Sequence, residues 1–330
     1  MNNRRKLVIA LGAGALATPF ASFAQQQGKV WRIGFLSPRS RPDSLDSNVF
    51  GAFLRGMREL GYFEEKNLMI EWRFADARLE RLPGLAAELV HLKVDLIVVA
   101  GTPAVGAMQK ATTTIPVVIV DVSDPVDSGF VKTLARPGGN ITGLSNLNAD
   151  ISPKLLEMLL SMVPKLSRVA VLVNPGNPST VTVLKGIQAA AQKVKVKVLP
   201  VEVRTAQELE KAFSAMAREK AGAVIVPRES LFITQLRQIA ELAAKHRLPS
   251  ISLLLEFAEA GGLMVYGSNA TDYYRRAATY VDKIFKGAKP ADLPVEQPSK
   301  FELFINGRTA KALGLKIPQS LRIMADKVIE

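Results

Sequence analysis

The chain has 330 residues, 48% of them hydrophobic, a formal charge of +13 and no cysteine. That length exceeds what one hydrophobic core usually organises, so two lobes are expected. The lack of cysteine excludes disulfides, thiolate metal sites, a thiol nucleophile and a lipid-anchoring cysteine after a leader. A basic balance raises the question of nucleic acid. Here the charges, among them Arg55, Arg58, Lys93, Lys110, Lys154, Lys185, Lys211, Lys245 and Lys286, are spread over polar faces of expected helices. No basic run is interleaved with aromatics, so a solvated surface and no nucleic-acid partner are expected.

Residues 1–24 read as a secretory signal: Arg4-Arg5-Lys6, an apolar run from Leu7 to Ala17, then Ser22-Phe23-Ala24 as the cleavage site. Cleavage near Ala24 would release the mature chain into the periplasm. Arg4-Arg5 also raises a twin-arginine route, although Asn3 and Lys6-Leu7 fit that pattern poorly.

Beyond the leader, apolar runs of strand length alternate with segments of helical period. Trp31 to Leu36 reads as a strand. Val49 to Leu60 reads as a helix, with Phe50, Phe53, Leu54, Met57 and Leu60 near one face and Gly61 as its stop. Leu68 to Phe74 alternates as a strand, and Leu79 to Leu92 is helical. Asp95 to Val99 reads as a strand whose last four residues are aliphatic, as a strand buried on both faces requires. Thr102 is expected to cap a helix that opens at Pro103. Val117 to Val120 reads as a further buried strand.

The pattern then repeats: helix from Pro153 to Met162, strand from Arg168 to Val173, helix from Pro178 to Lys193, strand from Val194 to Val203, helix from Gln207 to Glu219, strand from Ala223 to Val226. A helix from Phe232 to His246 and strands from Pro249 to Leu254 and Gly262 to Tyr266 follow. Such alternation means parallel βαβ units. Leu85-Ala86-Ala87-Glu88 leading into Leu96 to Val99 is echoed by Ala212-Phe213-Ser214-Ala215 leading into Val224 to Val226, which suggests a structural duplication. An amphipathic helix from Asp272 to Lys286 ends at Gly287. The proline-rich stretch Lys289 to Pro298 suits extended backbone passing between lobes, before a strand from Phe301 to Ile305 and a short helix from Thr309 to Leu313.

Several ordered blocks carry a family resemblance. They are Ala135-Arg136-Pro137-Gly138 with Gly139-Asn140-Ile141-Thr142-Gly143-Leu144-Ser145, Ala260-Gly261-Gly262-Leu263 with Tyr266-Gly267, Tyr280 to Ile284, and Leu293 to Pro298. Together they resemble the substrate-binding component of ABC importers of the tryptophan/tyrosine-type group, over essentially the whole mature chain. The resemblance implies a type I periplasmic binding protein fold, α/β, with two doubly wound parallel-sheet lobes joined by three crossover strands and one ligand between them. The implied N-terminal lobe is residues 29–143 plus 268–298, and the C-terminal lobe 144–267 plus 299–330. The implied partners are a small-molecule ligand and an ABC permease in the inner membrane, with the receptor itself a monomer.

In doubly wound sheets ligands bind outside the carboxyl ends of the strands. That rule selects Ser37 and Pro38, then Gly101, Thr102 and Pro103, then Asp121, Ser123 and Asp124, and in the second lobe Asn174, Pro175, Arg228, Glu229 and Ser252. Gly101 lets backbone approach a ligand, and the helix after it offers unpaired N–H groups to a carboxylate. Simple capping is the competing reading. Asp121 and Asp124 suit a ligand ammonium, although Asp124-Pro125 also reads as an N-cap pair. Arg228 suits an anion or a rim. Tyr266 suits a stacking wall or a core position near a hinge, and Ser145 completes the candidates.

Enzymatic signatures are weak. Gly12 to Ala17 spells a dinucleotide fingerprint without a preceding strand, and Gly101 to Gly106 has Ala107 and Met108 where a phosphate loop needs Lys and Ser/Thr. His91 and His246 are the only histidines and fall at helix ends. No nucleophile elbow is present. No catalytic residue, metal or cofactor is assigned. The expected function is capture of an amino acid or related carboxylate, with an exported enzyme on the same architecture or a receptor feeding a sensor as alternatives.

Overall fold

A computed structural model describes residues 29–46 and 48–330. The expected leader, residues 1–24, lies outside the described residues. Among the described residues no helix is long and apolar enough to cross a membrane.

The first lobe is built on five parallel strands: β1 (Trp31–Ser37), β2 (Leu68–Phe74), β3 (Leu96–Ala100), β4 (Val117–Ser123) and β5 (Ile141–Asn146), in the order β2-β1-β3-β4-β5. The helices α1 (Val49–Glu59), α2 (Leu82–His91) and α3 (Thr102–Ala111) connect them. Both faces of this sheet are covered, so its strands are apolar on both sides. In β3, Leu96, Val98 and Ala100 join the core that contains Phe50, Phe53 and Met57 of α1. Ile97 and Val99 join the opposite core, with Leu85 and Leu89 of α2 and Val105 and Met108 of α3.

The second lobe begins after a single residue, Leu147, with α4 (Asn148–Met162). Its sheet comprises β6 (Arg168–Val173), β7 (Lys197–Glu202), β8 (Ala223–Val226), β9 (Ser250–Ser252), β10 (Met264–Gly267), β11 (Glu302–Asn306) and β12 (Lys327–Ile329). The order is β12-β11-β10-β9-β8-β6-β7, and only the pair β10 and β11 is antiparallel. The helices α5 (Ser179–Lys193), α6 (Leu209–Arg218), α7 (Ser230–Thr234), α8 (Leu236–Lys245) and α9 (Glu256–Glu259) connect these strands. Here too the sheet separates two cores, one holding Leu155, Leu159 and Ile187, the other Phe213, Met216 and Ile239.

The chain passes between lobes twice more. After β10, α10 (Ala270–Phe285) returns to the first lobe, where Tyr274, Ala277 and Val281 join the core under α1. A Cβ on Gly56 would lie 2.6 Å from the Arg275 carbonyl oxygen, so glycine is what lets α1 and α10 come this close. Glu296 then runs beside β5, donating its N–H to the Gly143 carbonyl at 2.9 Å and accepting from the Ser145 N–H at 2.9 Å. From there the chain crosses to β11 and ends through α11 (Gly307–Ala312), α12 (Gln319–Met324) and β12.

Several local expectations are corrected. The strand β5 carries no clear signal in the sequence, because Thr142 and Gly143 interrupt the apolar run; Gly143 sits there at φ +136, with Ile119 so close that a Cβ would strike its carbonyl oxygen at 2.2 Å. The helix α4 begins at Asn148 rather than Pro153. Pro153 lacks the N–H that would bond the Ala149 carbonyl, and the Ser152 hydroxyl donates to that carbonyl instead at 2.8 Å. The helix expected from Phe232 to His246 is two helices, α7 and α8, that meet at Gln235. The strand expected from Val194 starts at Lys197, since Lys195 has φ +57. Thr102 is not the N-cap of α3: Gly101 occupies that place at φ +81, and the Thr102 hydroxyl accepts from the Ser123 N–H at 3.1 Å. Asp124-Pro125 opens no helix; the Asp124 carbonyl accepts the Ser128 N–H of a turn at 2.9 Å. The elements α9, α12 and β12, absent from the sequence reading, are short and carry little periodicity of their own.

Candidate functional site

The strand ends of both lobes converge on a small cavity of about 30 Å³, lined from the first lobe by Pro38, Arg39, Gly101, Thr102, Pro103, Asp121, Ser123, Asn146 and Tyr274, and from the second by Asn177, Ser179, Arg228, Glu229, Ser230 and Ile233. Two helices aim their N-termini at it, α3 from one lobe and α5 from the other. Both dipoles favour negative charge; in α5 the Ser179 N–H already donates to Asn177 Oδ1 and the Thr180 N–H to the Asn177 carbonyl, each at 3.1 Å.

Asp121 is the centre of the arrangement. It lies at φ +59 in β4, where the register with β5 slips between Val120 and Val122. Up to that point the strand alternates, with Val118 and Val120 on the α1 side and Val117 and Ile119 on the α2 side. Beyond it Val122 lies on the α2 side. One extra residue has therefore been inserted, a bulge, and Asp121 is that residue. Left-handed backbone in a non-glycine residue costs free energy and gathers at functional positions.

The Asp121 carboxylate is held from three directions. Arg228, from the other lobe, donates through Nε to both oxygens at 2.8 Å, and its Nη2 lies 2.8 Å from Oδ2. Arg39 Nη2 lies 3.5 Å from Oδ2. Asn146 Nδ2 donates to Oδ1 at 3.0 Å. The Arg228 and Asp121 side chains are only 5% and 7% exposed, so this is an ion pair removed from water. Burial by itself would lower the Arg228 guanidinium, but the charge and hydrogen bond of Asp121 hold it above its usual range.

Asn146 ties the carboxylate to the first crossing. Its Oδ1 accepts from the Ser123 hydroxyl at 2.9 Å and from the Asn148 N–H at 3.2 Å, so the residue that bonds Asp121 also anchors the start of α4. On the other side Glu229 caps α7, with Oε2 accepting from the Leu231 N–H at 2.8 Å and Oε1 from Asn174 Nδ2 at 3.0 Å. Burial pushes the Glu229 carboxyl above its ordinary range, against these hydrogen bonds, which pull it down.

Of the residues singled out from sequence, Pro38, Gly101, Thr102, Pro103, Asp121, Ser123, Arg228 and Glu229 line the cavity together. Ser37 stands just behind, its hydroxyl accepting from the Arg39 N–H at 3.2 Å. Asn174 reaches the cavity only through Glu229. Asp124, Ser145, Ser252 and Tyr266 do not line it: Ser252 donates to the Val226 carbonyl at 2.9 Å, and Tyr266 stacks on Phe301 at 5.8 Å against the second-lobe core. Sequence reasoning passed over Arg39, Asn146, Asn177, Ser179, Ser230, Ile233 and Tyr274. The strand-end rule reaches Arg39, Asn177 and Ser179 once loops are followed two or more residues further. Nothing local marks Tyr274, which a returning helix delivers.

Residues 40–329 match the family described as ABC transporter substrate binding protein, and the chain belongs to that family. Its architecture is the type I periplasmic binding protein fold. A tyrosine-binding protein of Clostridioides difficile is 27% identical over 274 residues, 83% of this chain and 78% of that one. Among solved structures, an ABC domain from Streptococcus pneumoniae in complex with L-Trp is 26% identical, covers 91% of this chain and 100% of its own, and superposes with a TM-score of 0.83. A ligand-free, open substrate-binding protein with adhesive properties from Clostridium difficile is also 26% identical and covers 91% of this chain and 99% of its own, yet superposes at 0.63.

Proposed function

We propose that this protein is the periplasmic receptor of an ABC importer for an aromatic amino acid, binding its ligand between the lobes as a monomer and presenting it to a membrane permease without altering it. The observation that carries this reading is the ion pair between Asp121 and Arg228, one charge from each lobe, buried at the converging strand ends. A zwitterion can take the place of that contact without leaving either charge bare. Its ammonium meets Asp121, and its carboxylate meets Arg228 and the N-termini of α3 and α5. Removing one partner of a buried pair is costly, whereas exchanging it for an equivalent one is not.

A space of about 30 Å³ is far below the several hundred Å³ of ordinary ligand pockets. Access therefore requires the lobes to part. The closer superposition on the Trp complex than on the open relative supports a hinge with two arrangements. The names of these relatives, tyrosine-binding and Trp-bound, support an aromatic ligand.

Calorimetric titration of the mature protein with L-Tyr, L-Trp and L-Phe, with polar and branched amino acids as controls, tests the reading. We expect micromolar binding of an aromatic amino acid, about 8 kcal/mol, a smaller radius of gyration at saturation, and a loss of roughly tenfold or more in Asp121→Asn. Binding confined to non-zwitterionic solutes, or an unchanged radius at saturation, would refute it.

A further inference from the structure

The cavity wall contains a hydroxyl that the protein leaves unsatisfied. Tyr274 is 0% exposed and lines the cavity, and among the described residues its Oη has no hydrogen-bond partner. A buried polar group without a partner is unfavourable unless something else supplies one.

Its surroundings show where that something would come from. The Tyr274 ring packs edge-on against Phe50 at 5.6 Å, and the Arg39 guanidinium carbon lies 5.9 Å from its centroid. Arg39 and Phe50, with Ile233, also line a neighbouring space of about 660 Å³. Tyr274 thus stands at the junction between the charged cavity and a roomier, partly apolar one. The head of an amino acid is already served by Asp121, Arg228 and two helix N-termini. The phenol is surplus to that end, and two neighbours of its ring, Phe50 and Arg39, line the roomier space.

We propose that the Tyr274 hydroxyl hydrogen-bonds a polar atom on the ligand's side chain, the phenol oxygen of tyrosine or the indole N–H of tryptophan, and so selects these ligands over phenylalanine. The inference rests on the aromatic amino-acid reading above. A hydroxyl serves as donor or acceptor, so it suits both partners. A site built to hydrogen-bond a ligand group discriminates against the analogue that lacks it, because its own polar group is then left unpaired.

Titrations of L-Tyr, L-Trp and L-Phe into the wild type and Tyr274→Phe provide the test. In the wild type, L-Tyr or L-Trp binds roughly tenfold tighter than L-Phe, the ratio carried by one ordinary hydrogen bond. In Tyr274→Phe that ratio falls about tenfold, and the Tm of the unliganded variant does not drop, because an unpaired hydroxyl has been removed. An unchanged ratio overturns the proposal. So does equal weakening of all three ligands, which would place the contact at the head group. If the variant fails to fold, 4-methylphenylalanine answers the question on the unaltered protein: it has nearly the shape of tyrosine and no polar atom on the ring, and should bind no better than phenylalanine. Binding as tight as tyrosine overturns the proposal. Failure of every aromatic amino acid to bind the wild type would instead bring down the functional reading itself.

Discussion

The third strand of each lobe, β3 in the first and β8 in the second, ends at the cleft, and the two ends use different chemistry. The β3 end turns through Gly101 at φ +81 and presents the backbone of α3. The β8 end keeps ordinary side chains: Arg228 reaches across to Asp121, and Glu229 turns back to cap α7. One lobe thus offers fixed backbone donors, which cost no side-chain entropy to position. The other offers a long cation whose reach depends on the lobes being together. Backbone donors in one lobe and a long cation in the other thus stand at equivalent places.

Arg228→Ala breaks the contrast most severely. We expect ligand affinity to fall roughly 100-fold, in the range found when one member of a buried charge pair is truncated. Scattering should show an expanded unliganded protein, with Tm lowered by no more than a few degrees. Were the pair a fixed structural element, leaving Asp121 buried alone would cost about 3–5 kcal/mol of stability, and a large drop in Tm would show it. On a hinge, opening lets water reach Asp121.

Gly101→Ala attacks the other side. At φ +81 and ψ 144 the backbone lies in a region essentially confined to glycine, where another residue costs about 1–3 kcal/mol, and the added Cβ would lie 3.3 Å from Pro38 Cγ. We expect this loss to appear in chemical denaturation of the unliganded protein, the opposite signature to Arg228→Ala. Equal stability of Gly101→Ala and wild type would mean that the turn relaxes freely.

The smallest effect concerns Asp124, just beyond the bulge. Burial, then the charges of Asp150 and Asp127, raise its carboxyl above its ordinary 3.8. A folded value above the unfolded one means that the stabilising contribution is complete only in acid, below that ordinary value, and is lost as pH rises through the raised one. Asp124→Asn should therefore have a slightly higher Tm than wild type at neutral pH, with the difference vanishing on acidification. A difference that persists in acid would assign the effect to hydrogen bonding rather than charge.

Much of the architecture could be read along the chain because it rests on local periodicity. The aliphatic run of β3 announced a strand covered on both faces. The echo between residues 85–99 and 212–226 identified segments that occupy equivalent places, α2 into β3 and α6 into β8. The strand-end rule led to Gly101, Asp121 and Arg228. What escaped were elements whose signal is not periodic: β5, interrupted by Thr142 and Gly143; α4, continuing through Pro153 because a serine hydroxyl replaces the lost N–H; and β12, which is three residues long.

The alternation of most strands and helices, the burial of the central strands on both faces and the charged loops at the strand ends were thus determined by the sequence itself, since each follows from the spacing of neighbouring residues. The tertiary structure decided the rest. It set Asp121 against Arg228 across 107 residues of chain, rotated that acid into the cleft through a one-residue bulge, and carried Tyr274 back to the first lobe on α10. Periodicity records which face of its own element a residue occupies. It holds no information about which distant face comes to meet it, because that depends on three crossings, a register slip and the angle at which two sheets close.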